Sequence, residues 1–315
     1  MKDLSLKWVI AHEPAWLFYR VAEDFQKQVN KRSKNTQINI EISTAEEYNN
    51  QYNPDVKLHR NNLWKALQDN TVQIAQMTTS SLGRQFNKQM QVFDMPYIFE
   101  DHDHAASILE GSIGEEILNS FDADSKLKGI AYTYSGGFRL MPVNHSVTTI
   151  GELIGLDMRS GMSPIAQDTF KAFGLNPIPT EVEELTPTVA AGKAVGGEHV
   201  AQRMLPDQCE TWTNTILDTE HSLFLTSIVV NKTWWESLSE EIQTIFKESA
   251  LEAARNERAL SIQDGESSID KLQTMGVSYK KLSKEEKQDL IFKSKTVYEK
   301  YQNYFNDGLI EKIKK

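Results

Sequence analysis

Cysteine is almost absent from this chain of 315 residues: Cys209 stands alone, which excludes an intrachain disulfide and any multi-cysteine zinc or iron–sulfur site. Long apolar runs are missing too, none approaching the roughly 20 residues that span a bilayer. Basic charge is in deficit. With 34 Lys and Arg against 44 Asp and Glu, the formal net charge is −10, which disfavours nonspecific binding to nucleic acid or to an anionic membrane. There is no P-loop, no G-x-S-x-G, no H-E-x-x-H and no glycine-rich dinucleotide fingerprint after the first apolar run. Internal repeats and low-complexity tracts are absent. The N-terminal MKDLSLKWVIAHEP does not read as a secretory signal, because charge returns before an apolar segment develops. That leaves a cytosolic protein or a mature chain whose leader is absent.

What is present argues for a large packed core. Thirteen Phe, ten Tyr and six Trp exclude a wholly disordered chain, and the length accommodates two domains. Leu6–Ala11 reads as a buried strand. Trp16 to Val29 places Phe18, Val21, Ala22, Phe25 and Val29 at helical spacing, and Ile38–Ile42 alternates as a second strand. This opening is β-α-β, the unit of parallel sheets. The polar stretch from Glu46 to His59 reads as a loop. A helix around Leu63–Gln68 leads to the strand Val72–Met77, and Thr78, Thr79, Ser80 and Ser81 follow at its C-terminal end. In open α/β sheets ligands bind there, although the same residues suit a helix cap equally well. Further strands are expected at 130–145, 155–159, 222–231 and 277–282, with extended chain at 176–179. Helices are expected at 148–153, 163–173, 183–191, 239–260 and from Ser283 onward. The class is α/β, with no linker and therefore discontinuous domains.

Few residues advertise chemistry. Glu100-Asp101-His102-Asp103-His104 has the composition of a metal site, yet its carboxylates also stand where a helix over Ala105–Leu109 would start. Capping is the better account, so no metal is expected, and His102 and His104 should be largely exposed. The pairs Gly136-Gly137 and Gly196-Gly197 suggest tight bends. His12-Glu13 follows the first strand, where a cleft would lie, and is a ligand-contact candidate. Arg139, in GGFRLM, and Arg159, closing GLDMR, are lone cations in apolar strand contexts, where burial demands an anionic partner. A bound carboxylate would satisfy the planar guanidinium, and so would a structural ion pair.

Several segments, in order, resemble the extracytoplasmic solute-binding proteins of tripartite ATP-independent periplasmic (TRAP) transporters, the DctP-type family. MPYIFEDHDHAASILEGSIGEEIL resembles that family's Pro-aromatic-x-Phe segment and its helix. GGFRLMPVNHSVTTIGELIGLDMRS resembles the stretch carrying two arginines. FGLNPIPTEVEELTPTVAAGKAVGGEH resembles the segment that normally ends in Asp-Gly-x-Glu-Asn. SLFLTSIVVNKTWWESLSEEIQTIFKESALEAARNER resembles its hinge strand and long helix. The chain departs from the pattern at His199, where the family has Asn, at Gly196-Gly197, and in the polar insertion STAEEYNNQYNPD.

The resemblance implies a two-lobed periplasmic-binding-protein (type II) fold with hinge strands and a long helix spanning both lobes. An N-terminal lobe would comprise 1–136 plus 225–264, and a C-terminal lobe 137–224 plus 265–315. It implies a periplasmic protein that captures a small organic acid in the interlobe cleft and delivers it to the TRAP membrane permease subunits. Arg159 would grip the ligand carboxylate and Arg139 support it. Thr78, Thr79, His12 and Glu13 would contact the ligand from one lobe, with His199 opposite and Glu198 orienting its neighbours. Met162 and Phe224 complete the expected contacts. No cofactor, catalytic residue, nucleic acid or membrane insertion is implied, and the chain is expected to be a monomer. Two alternatives stand beside this reading: an enzyme using His12, Glu13 or His199 as acid/base groups, and a ligand-sensing module of a receptor.

Overall fold

The computed structural model describes residues 4–33, 36–306 and 308–315; Met1–Asp3, part of the N-terminal stretch read above, lie outside them. Its strands are β1 (Leu4–Ile10), β2 (Ile38–Thr44), β3 (Ile74–Thr78), β4 (Leu127–Val143), β5 (Asp157–Ser160), β6 (Asn176–Pro179), β7 (Gly196–Gly197), β8 (His199–Val200), β9 (Thr215–Asp218), β10 (Leu223–Asn231) and β11 (Ser278–Lys281). The chain divides into two compact units, residues 1–87, 106–135 and 225–260, and residues 88–105, 136–224 and 261–315. It passes from one unit to the other between Asn87 and Lys88, inside the helix His102–Glu110, inside β4, inside β10 and inside the helix Glu240–Thr274. Residues 88–105 cluster with the second unit, whereas the sequence expectation counts them with the first.

In the first unit β1 pairs in parallel with β2 and β3, and β10 runs antiparallel to β3 with Thr226 opposite Thr78. The helix Ala15–Arg32 covers this sheet because Leu17, Phe18, Val21, Ala22, Phe25 and Val29 recur on one face. Lys31 and Arg32 in its last turn complement the helix dipole. Trp8 and Phe25 are fully buried against each other, ring centroids 5.2 Å apart, each burial contributing on the order of 2–3 kcal/mol.

The stretch after β2, expected as a loop from Glu46 to His59, is helical in its first part and irregular only from 53 to 59. Residues Ala45–Tyr52 are helical, started by a capping box in which Thr44 Oγ1 accepts from the Glu47 N–H (3.1 Å) and the Glu47 carboxylate accepts from the Thr44 N–H (2.7 Å). Tyr48 is its one buried side chain, so no apolar stripe reveals it.

In the second unit β4 runs antiparallel to β7, β8 and β9, while β5 lies in parallel between β6 and β7. Gly196-Gly197 is therefore a strand and not a tight bend. A Cβ on Gly196 would meet the Pro142 carbonyl at 2.2 Å, and one on Gly197 the Arg159 carbonyl at 2.6 Å, so glycine permits the close strand approach. Gly136-Gly137 lies within β4, where Gly137, at φ 76°, takes a backbone conformation that favours glycine. The helix expected to end at Leu260 runs to Thr274. No proline interrupts it, and Gly265 alone, about 1 kcal/mol worse than Ala, is too weak a stop.

Candidate functional site

Strand register in the second unit brings the two arginines into one group. Arg159 pairs with Gly197, and Arg139 with Val200, so the intervening Glu198 lies between them. Arg159 is 3% exposed. Its Nε–H and one Nη2–H donate to the Thr180 carbonyl, and one Nη1–H donates to the Glu198 carbonyl (3.3 Å). Burial pushes its pKa down to about 10. Of its five N–H bonds, one on Nη1 and one on Nη2 remain uncommitted among the described residues.

Arg139 is held differently. Its guanidinium lies over the Phe224 ring, 4.8 Å from the centroid, and Nη1 is 3.7 Å from Glu198 Oε1. It makes no closer hydrogen bond to the described residues, and the side chain is 18% exposed.

Glu198 is 1% exposed and both carboxylate oxygens are engaged. Oε1 accepts from the Gly161 N–H (2.6 Å), and Oε2 accepts from His221 Nε2–H (3.1 Å). Burial raises its pKa, but Arg139, His221 and Arg159 outweigh burial and hold the carboxyl well below the usual range. A Cβ at Gly161 would stand 2.7 Å from Oε1, so a glycine is needed at that contact. His221 Nδ1 is 2.8 Å from Thr219 Oγ1, and its ring meets Phe170 and Phe173 edge-on. The two guanidinium cations flank one carboxylate, Glu198, while Glu181 and Glu183 add a weaker negative field at Arg159. The N–H bonds left over on both arginines can receive an anion.

The other expected residues fall elsewhere. His199 alternates to the opposite side of the strand from Glu198, where its Nε2 lies 2.9 Å from Asp207 Oδ2, and burial lowers its pKa. Met162, just beyond β5, is 42% exposed. In the first unit His12 and Thr78, at the ends of β1 and β3, come within 3.4 Å (Nε2 to Oγ1). Thr79 Oγ1 is instead committed to Ser227 Oγ (2.8 Å) and buried. The Glu13 carboxylate accepts from the Ala15 N–H (2.8 Å) at the start of the first helix. His102 and His104 are half-buried, against the expectation of exposure. His102 packs on Phe138, while His104 Nε2–H donates to the Ile313 carbonyl and Nδ1 accepts from the Glu100 N–H. Both His104 nitrogens thus serve the fold, and Asp101 accepts from the His104 N–H as a cap.

Sequence reasoning missed His221, Thr180 and Gly161. Thr180 had a faint signal, standing at the end of the extended NPIP. His221 had none, since one histidine before an apolar strand has no local meaning.

A two-unit α/β chain in which one buried and one partly exposed arginine keep uncommitted N–H bonds has the features of a ligand-binding protein. Residues 12–304 match the model of the bacterial extracellular solute-binding protein family 7, DctP, and the chain belongs to that family. It is a TRAP-transporter solute-binding protein, and the family works with membrane permeases. A curated relative from Escherichia coli, the 2,3-diketo-L-gulonate-binding periplasmic protein YiaO, is 29% identical over 188 residues, covering 60% of this chain and 57% of that one. The C4-dicarboxylate-binding periplasmic protein DctP of Rhodobacter capsulatus is 23% identical, covering 71% and 67%. A TRAP periplasmic solute-binding protein of Pseudomonas putida, solved with bound D-glucuronate, superposes with a TM-score of 0.83 at 25% identity, covering 99% of this chain and 97% of that one. Among the described residues no helix is long and apolar enough to cross a membrane.

Proposed function

We propose that this protein captures a small organic acid for a TRAP permease, with the solute carboxylate received by Arg139 and Arg159. The carrying observation is the pair of guanidinium groups with N–H bonds uncommitted among the described residues, beside the Glu198 carboxylate, which is already fully engaged. The remaining N–H bonds on Nη1 and Nη2 of Arg159 suit a carboxylate, and Arg139 adds donors of its own. Glu198 acts by holding Arg139 and not by touching solute. The ligands named for the relatives, 2,3-diketo-L-gulonate, C4-dicarboxylates and D-glucuronate, all carry carboxylates, which supports this class. Ser163 Oγ and Thr180 Oγ1 are buried without a hydrogen-bond partner among the described residues, and favour a hydroxylated acid.

The protein is further proposed to be periplasmic, monomeric and without catalytic activity. The acid/base alternative is weakened because Glu13 and His199 are engaged by Ala15 N–H and Asp207. Calorimetry with D-glucuronate, 2,3-diketo-L-gulonate and succinate tests the proposal, with recovery of unchanged solute afterwards. Stoichiometric binding without turnover is expected. Failure of every carboxylate, or consumption of one, would sink it.

A further inference from the structure

A separate pocket of about 260 Å³ lies in the first unit, and its lining includes Lys128, Lys232 and Lys247 with one carboxylate, Glu236. Lys128 is the second residue of β4, Lys232 opens the helix Lys232–Glu236, and Lys247 lies on the long helix. Three separate elements thus contribute a lysine to one pocket, close enough for Lys232 and Lys247 to act electrostatically on Lys128. The buried side chains of Leu118, Leu127 and Trp235 contribute to its wall.

The cations are incompletely neutralised, three lysines facing two carboxylates. Among the described residues Lys232 pairs with Glu236 at 4.0 Å and Lys247 with Glu115 at 3.8 Å, both at the outer limit of an ion pair. Lys128 donates to a neutral acceptor, Asn119 Oδ1, at 2.6 Å. Burial lowers its pKa, Lys247 and Lys232 lower it further, and Glu115 and Glu236 only partly compensate. In a chain of net charge −10, with counterions abundant in composition, an unbalanced group of three lysines is a specific arrangement.

We propose that this pocket binds a phosphate group, with Lys128, Lys232 and Lys247 as its cationic contacts and the Asn119 amide nitrogen as a neutral donor. Ammonium groups are point charges that impose no plane, so three of them converging from different elements match the oxygens of a tetrahedral anion. The solute site, built on planar guanidinium groups, has the contrasting chemistry. The phosphate is either free or carried on a phospholipid headgroup.

The test uses the full chain in phosphate-free buffer. Sodium phosphate is titrated against sodium chloride at matched ionic strength while thermal melting is followed. A saturable rise in Tm of several degrees above the chloride response is expected. Lys128→Gln should melt no lower than wild type without phosphate, because a repelled charge is removed, and should lose the phosphate-specific rise. Arg139→Ala should keep it. A second arm measures cosedimentation with phosphatidylglycerol vesicles against phosphatidylcholine vesicles. Lysine-dependent binding there assigns the headgroup as the source, and a phosphate response without vesicle binding assigns the free ion. The proposal is overturned if phosphate acts no differently from chloride and vesicles are not bound. It is equally overturned if the response survives in the Lys128→Gln, Lys247→Gln double variant or vanishes in Arg139→Ala.

Discussion

At the scale of single residues, the two arginines divide their work. Arg159 ties β5 to the Thr180 and Glu198 carbonyls, so it braces the fold as well as serving the proposed solute site. Arg159→Lys keeps the charge but loses the planar fork that holds those carbonyls, and should lower both Tm and solute affinity. Arg139 makes no guanidinium hydrogen bond to the described residues but offsets the buried Glu198 carboxylate, so Arg139→Ala should lower Tm by leaving that charge less compensated. It should weaken solute binding by roughly 2–5 kcal/mol if the solute carboxylate is left unpaired. Calorimetry and melting on the two variants check both effects; wild-type affinity in Arg139→Ala would place the anion elsewhere. Both arginines stood out in the sequence as lone cations in apolar runs. Glu198 was expected to orient its neighbours, and its carboxylate does face Arg139; the Thr180 and Glu198 contacts to Arg159 run through main-chain carbonyls, which carry no residue signature.

At the scale of elements, local rules succeeded wherever the apolar period was strong and failed where the signal was polar. The helix Ala15–Arg32 shows its buried face in the spacing of Phe18, Val21, Ala22 and Phe25. The helix Ala45–Tyr52 rests on one capping box and one buried tyrosine, a pattern easily mistaken for loop. Thr44→Ala should therefore cost about 1 kcal/mol, read as a shift in the denaturation midpoint without change of slope. No loss would mean that the packing of Tyr48 and not the cap holds this helix. The long helix Glu240–Thr274 follows the same logic. Ile242, Phe246, Ala250 and Ala253 mark its first half, while the second half is polar and continues because nothing stops it before Gly276, at φ 96°.

At the scale of the whole molecule, buried histidines set a pH dependence. Burial lowers the pKa of His199 and of His102 in the folded chain. Unfolded histidine takes a proton near pH ~6.5, so below that value the unfolded state binds more protons and stability falls with pH. Glu198 has the same sign at lower pH: its folded pKa is depressed, and its contribution, present above about pH 4.3, is lost as acid protonates it. Melting temperature should decline steadily from near-neutral pH downward, and the first part of the decline should flatten in His199→Gln. An unchanged profile in that variant would remove His199 as a cause.

The sequence by itself determined the α/β class, the strong-period strands and helices, the lack of disulfide and spanning helix, and the pair of arginines that an anion would need. Those features follow from composition and short-range periodicity, which are complete within a few turns of chain. Only the tertiary structure decided that Glu198 is locked by Gly161, His221 and Arg139, that His199 faces Asp207 instead, and that three lysines meet in the first unit. Each of these joins residues far apart in the chain or depends on which side of a strand a residue takes. Strand register settles both, and shifting it by one residue would exchange Glu198 for His199.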